Sequence, residues 1–279
     1  MGNISHSRPG ARECRGATVQ GVATATPNRS SSRPNARDTA QRKAAPSYSP
    51  ALVKGSRGVR STIFLKILMA LSGLLFLGFV LAHMYGNLKA FSGHDAYNDY
   101  AEHLRTIGEP MLPRSGLLWV LRVGLVGALV VHVYAAVTLW RRAKSARTHK
   151  YVVKKNRHST YASHLMRWGG LTLLVFIVWH LLNFSIGKVN VSGGATNDPY
   201  NLLVDSFDTW WLTLIYLVAM AMLGAHLHHG VWSSMQTLGL TTSARKRTVY
   251  KRVALALAVI VAGGFSLVPV FVLAGVITK

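Results

Sequence analysis

Hydrophobic positions in this chain gather into five long blocks: Ile63 to Leu88, Leu117 to Trp140, Leu165 to Ile186, Trp210 to Trp232 and Val253 to Ile277. A helix rises about 1.5 Å per residue, so about 20 apolar residues cross a bilayer core of about 30 Å. Each block is long enough. The pattern predicts an all-α membrane protein with five transmembrane helices, and an odd number of crossings puts the two termini on opposite sides.

Composition agrees, since 50% of the residues are hydrophobic and 15% are charged. Residues 1–60 differ from the rest. They are rich in Arg, Ser, Ala and Pro, nearly free of acids, and lack sustained apolar periodicity. Such a segment cannot bury enough surface to fold alone, so a disordered basic extension is expected, followed by a five-helix membrane domain over 61–279. The single cysteine, Cys14, falls in the extension. One thiol supports neither an internal disulfide nor a thiolate-held iron–sulfur cluster, so any cluster belongs to a partner.

Charge orients the helices. Basic residues crowd the extension, the Arg141 to Arg157 linker with its eight Lys and Arg, and the Arg245 to Arg252 linker. Seven of the nine acids lie in the other two linkers, Lys89 to Gly116 and Gly187 to Thr209. The positive-inside rule then expects a cytoplasmic N-terminus and an external C-terminus. The same rule accounts for much of the net charge of +23, which leaves no need for a nucleic-acid partner.

The chemistry rests on four histidines. Counted from entry points near Ile67, Leu117, Leu165 and Trp211, His83, His132, His180 and His226 each stand about 15 to 16 residues into one of the first four blocks. An ionisable residue inside a membrane helix is costly, and four at matched depth are best read as ligands. Because successive helices run in opposite directions, His83 and His180 are expected near the outer face, and His132 and His226 near the inner face. Two levels about 15 Å apart result, each offering two imidazoles. Two haems are the simplest occupants, since bis-imidazole haem b transfers electrons without an open coordination site. Gly73, Gly78, Gly124, Gly127, Gly169, Gly170 and Gly224 could let a macrocycle or a neighbouring backbone approach. Of the three histidines near the end of the fourth block, His226 is taken as the ligand; His229 shares its face one turn on and is a candidate propionate or docking contact. Lys66, Arg122 and Arg167 are further candidate propionate partners, with snorkelling to headgroups as the other explanation. The outer loop with Tyr97, Asp99, Glu102, His103 and Glu109 is a candidate wall for a quinone pocket. No Asp or Glu lies inside a block, and Gly224 stands two residues before His226.

The run His226-x-x-x-Gly230-x-Trp232, the following Ser233 and Gln236-Thr237-Leu238-Gly239, and one histidine on each of four successive helices resemble the single-chain di-haem cytochrome b anchor of succinate:quinone oxidoreductases. The resemblance spans about Thr62 to Ile277. It implies that His83 and His180 hold a distal haem and that His132 and His226 hold a proximal one, within a bundle of the first four helices. It further implies flavoprotein and iron–sulfur partner subunits, which carry the dicarboxylate chemistry and dock on the basic side. Electrons would pass from succinate through both haems to a quinone, more often menaquinone in bacterial members. Two alternatives stay open: the cytochrome b subunit of a hydrogenase or formate dehydrogenase type of oxidoreductase, and a non-redox transporter.

Overall fold

The structure, a computed structural model, describes residues 61–146, 160–185 and 196–279, with side chains of the second stretch described from Met166. The basic extension, Cys14 and most of the Arg141 to Arg157 linker lie outside the described residues. Seven α-helices follow in chain order: α1 (Thr62–Leu88), α2 (His94–Thr106), α3 (Gly116–Ser145), α4 (Thr160–His180), α5 (Pro199–Asp208), α6 (Trp210–Thr237) and α7 (Ala244–Leu273). A short 3-10 turn, Lys89–Ser92, extends α1, and a π-helical turn, Leu181–Ser185, extends α4. Five of these helices, α1, α3, α4, α6 and α7, are long and apolar enough to cross a membrane. The protein is a multi-pass membrane protein, as the five blocks predict.

Two short helices stand where polar linkers are expected. Helix α5 begins at Asp198, whose carboxylate accepts the Tyr200 and Asn201 N–H groups at 2.9 and 3.0 Å, with Pro199 in the first turn. Helix α2 packs on α5: Asn98 Nδ2 donates to Asp198 at 3.0 Å, and the Tyr97 and Tyr200 rings lie 5.9 Å apart. The chain's last residues join them, with Tyr200 donating to the Thr278 carbonyl at 2.9 Å and Lys279 pairing with Asp205 at 2.5 Å. We call this the capped end of the bundle.

The Arg245 to Arg252 linker needs correction. Ser243 accepts the Lys246 N–H at 3.2 Å and starts α7, so these basic residues form its first two turns. The bilayer edge sets where apolar residues stop, whereas caps set where a helix stops. For the same reason α3 runs on to Ser145 and α6 to Thr237. Pro269 sits inside α7, which continues to Leu273.

Between helices in lipid, close packing rather than water exclusion holds the bundle. Helix α6 is central and packs against α1, α4 and α7, while α3 lies along α1. A Cβ on Gly224 would stand 3.0 Å from Ala262 Cβ and 3.5 Å from the Ala258 carbonyl, so this glycine lets α6 and α7 approach. It serves a helix contact rather than a ligand slot. Helix α7 buries Ala258 and Val261 against Leu77, Val80 and Leu81 of α1 and Leu223 and Leu227 of α6.

Candidate functional site

The structure brings the four histidines together as two pairs. His83 of α1 faces His180 of α4 with ring centres 5.7 Å apart and planes at 81°. His132 of α3 faces His226 of α6 at 6.2 Å and 55°. Two imidazoles bonded to one metal through nitrogens at about 2 Å each place their ring centres about 6 Å apart. Both pairs meet that spacing.

Their separation along the bundle can be read from the helices. Ser72 of α1 touches His132 while His83 on the same helix meets His180, and Gly170 of α4 abuts His226 while His180 lies ten residues on. Ten to eleven residues of helix span about 15 to 17 Å. The His83/His180 level is nearer the capped end, where Tyr216 and Phe184 connect it to Phe207 of α5.

The two levels differ in their walls. Around His83 and His180 the neighbours are aromatic: Phe79 stacks on His83 at 5.3 Å, Phe265 of α7 lies 5.7 Å from it, and Phe176 and Phe184 flank His180 at 5.8 and 5.4 Å. The π-helical turn after His180 aims Asn183 inward, fully buried, where it accepts from Tyr216 Oη at 3.2 Å and donates to the buried Ser206 Oγ of α5 at 3.4 Å. Tyr216 Oη is itself 3.4 Å from His180 Nδ1. At the other level, Ser72 Oγ lies 3.0 Å from His132 Nδ1. A Cβ on Gly73 would stand 3.5 Å from His132 Cε1, and one on Gly170 would stand 3.6 Å from His226 Cε1. Of the glycines singled out in the sequence, these two border the imidazoles; Cβ atoms on Gly78, Gly124 and Gly127 would meet nothing within 4 Å.

Several observations bear on what such pairs could hold. Among the described residues no three His, Cys, Asp or Glu converge as a bare divalent ion would require. Two imidazoles suffice for a metal that brings its own equatorial ligands, as haem iron does. Among the described residues two buried polar atoms, His226 Nδ1 and Trp179 Nε1, have no hydrogen-bond partner, and each belongs to a pair or adjoins one. An orphaned N–H beside a ligand residue suits an acceptor oxygen supplied by a bound group. The residues present therefore fit a bis-imidazole haem at each level.

The remaining candidates are more peripheral. Lys66, Arg122 and Arg167 are exposed, with Arg122 over the Trp119 ring at 5.2 Å and Arg167 over Trp140 at 6.0 Å. His229 is half-buried on α6. On α2, Asp99 and Glu102 border an open cleft of about 480 Å³ with Asn98, Arg105, Asn197 and Asp198, a polar lining unlike a seat for an apolar quinone ring. Tyr97 turns instead toward α5, and burial pushes its phenol up to about 12. His103 and Glu109 are exposed.

Reading the sequence for histidines left out Ser72, Tyr216 and Asn183. Their signal is present in the pattern: each is a polar residue inside an apolar block, and Asn183 follows His180 by three positions, which puts both on one helical face.

A family model described as succinate dehydrogenase/fumarate reductase transmembrane subunit matches residues 141–267. The matched stretch runs from the end of α3 into α7 and contains His180 and His226. It bears out the family to which the sequence resemblance assigns the chain. No curated protein and no solved structure matches the chain.

Proposed function

From the premise that this chain is a transmembrane subunit of the succinate dehydrogenase/fumarate reductase family, we propose that it is the di-haem cytochrome b anchor and electron-transfer subunit of a succinate:quinone oxidoreductase. His83 and His180 would hold one haem b, and His132 and His226 the other. The observation that carries this reading is the facing of imidazoles at 5.7 and 6.2 Å on two levels of one bundle. Haem b between two imidazoles supplies one-electron transfer without an open coordination site.

The chain's own residues do the rest. The four helices would present the histidine nitrogens that hold the haems, and the aromatic wall of Phe79, Phe176, Phe184 and Phe265 keeps water from the capped-end level. The N-terminal turns of α7, with Arg245, Lys246, Arg247, Lys251 and Arg252, offer a cationic surface at the other end of the bundle for the iron–sulfur subunit and its flavoprotein partner. That end would face the cytoplasm of a bacterial inner membrane, with the C-terminus at the capped, external end and (mena)quinone accepting electrons there. A cytochrome of the hydrogenase or formate dehydrogenase type would use the same ligand chemistry; the family match over residues 141–267 favours the succinate-linked complex.

The test is to purify the chain from its native membranes with whatever binds it and add succinate. Reduction of a b-type absorbance, with flavoprotein and iron–sulfur subunits in the preparation, is expected. A haem-bearing preparation whose absorbance succinate leaves unchanged would overturn the succinate assignment.

A further inference from the structure

We infer that Ser72 and Tyr216 are positioning residues, each a hydroxyl that accepts the Nδ1–H of one histidine and so reserves its Nε2 lone pair for iron. The inference rests on the di-haem reading and adds to it a division of labour within each pair. At the His132 level, Ser72 Oγ lies 2.8 Å from the Leu68 carbonyl, 3.2 Å from the Met69 carbonyl and 3.0 Å from His132 Nδ1. A hydroxyl has one proton, and carbonyls can only accept. The proton goes to the helix backbone, and the oxygen faces His132 as an acceptor. His132 Nδ1 therefore carries the hydrogen and Nε2 does not.

The same logic runs through a longer chain at the other level. Asn183 Nδ2 donates to Ser206 Oγ, which turns Oδ1 toward Tyr216, and the phenol donates to that oxygen at 3.2 Å. Its oxygen is left to accept from His180 Nδ1 at 3.4 Å. Both hydroxyls come from a helix other than the one bearing the histidine: Ser72 of α1 serves His132 of α3, and Tyr216 of α6 serves His180 of α4. The second imidazole of each pair is held differently. His226 Nδ1 has no hydrogen-bond partner among the described residues, and Asn87 Nδ2 donates to the His83 main-chain carbonyl at 2.9 Å, not to its ring. One ring of each pair is thus oriented by a hydroxyl. An Nδ1–H hydrogen bond also raises the ligand's basicity, which favours the oxidised metal.

The test uses the full chain in its native complex, comparing wild type with Ser72→Ala, Ser72→Thr and Tyr216→Phe. Haem content and the midpoint potential of each spectral component are measured. Haem content is expected to stay at the wild-type value. Ser72→Ala should move one component to a higher potential and leave the other in place, Ser72→Thr should restore it, and Tyr216→Phe should move the other component alone. A merely structural role would lower haem content or thermal stability without splitting the two components. Unmoved potentials, or both components moving together in each variant, would overturn the hydroxyl assignment while the haem reading stands. A wild-type complex without haem would overturn both.

Discussion

The two histidine levels use the same ligand chemistry in unlike surroundings. The His83/His180 level is walled by rings and tied through Tyr216, Asn183 and Ser206 to α5, a helix of the cap. The His132/His226 level is bordered by Gly73, Gly170, Ser72 and the edge-on Phe76 ring 6.1 Å from His132, and His226 Nδ1 has no hydrogen-bond partner among the described residues. The first level is organised by a wall of rings and a buried polar chain, the second by glycines that leave room beside each imidazole. Each therefore has its own weak point.

The largest expected effect strikes the glycine level. A methyl at Gly73 or Gly170 would make ordinary contact with the neighbouring imidazole, but a branched side chain would occupy the ring's place. Gly73→Leu and Gly170→Leu should each abolish one of two haem components in the purified protein's spectrum and leave the His83/His180 component. Loss of both components together would merge the levels that the comparison separates.

At the ring-walled level the sensitive point is Asn183. Replacing it by Leu strands the Tyr216 hydroxyl and Ser206 in a buried site, at a cost of about 1 to 3 kcal/mol. Thermal unfolding in detergent should show that loss, with the His132/His226 component unchanged. Packing between α6 and α7 offers a further comparison: Gly224→Val forces side-chain atoms onto Ala262 and should cost about 1 to 3 kcal/mol. An undiminished melting temperature would contradict that contact.

The cap should respond to pH. His94 Nδ1 lies 2.9 Å from Asp95 and its Nε2 lies 2.7 Å from Asp198. The hydrogen bonds to Asp95 and then Asp198 raise the His94 pKa above 6.5. Burial works against the Asp198 carboxylate, but hydrogen bonds from the Asn201 backbone, Asn98 and His94 outweigh it and hold the pKa below 3.8. The histidine's contribution is fully present below pH 6.5 and is lost as pH rises through its raised value. The carboxylate's is present above pH 3.8 and is lost as pH falls through its lowered value. The junction of α2 and α5 should be tightest between these limits. Protection from hydrogen exchange at the first turn of α5, taken relative to the intrinsic rate at each pH, should be greatest there and fall at higher pH, and His94→Gln should remove that alkaline limb. These groups are largely exposed, so the effect is the smallest of the four.

Much of this fold is legible in the chain because lipid imposes length and apolarity on any spanning helix. Ile63 to Leu88 lies within α1 at one residue's precision, and histidines at equal depth announce two levels before any contact is known. Helix ends beyond the bilayer are not written in hydropathy. Arg245 to Arg252 looks like a linker because it is charged, yet Ser243 caps it into α7. Helix α5 is likewise hidden in a linker too short to cross the membrane, although Asp198-Pro199 is an N-terminal signal that can be read. The outer loop illustrates a further gap, because of the acids expected beside a quinone Asp99 and Glu102 border an open polar cleft while Glu109 is exposed apart from it. Side-chain partners such as Tyr216 and Ser72 depend on which helices touch, and membrane spans of nearly uniform hydropathy leave that neighbourhood unspecified.

Haem b per polypeptide, measured by pyridine haemochrome spectra on the purified chain and on His83→Ala, His132→Ala, His180→Ala and His226→Ala, tests the central claim most directly. The account expects two haems in wild type and loss of one spectral component in each variant, the same for His83→Ala and His180→Ala and the other for His132→Ala and His226→Ala. A folded wild-type protein carrying no haem, or losses grouped in any other pairing, would contradict it.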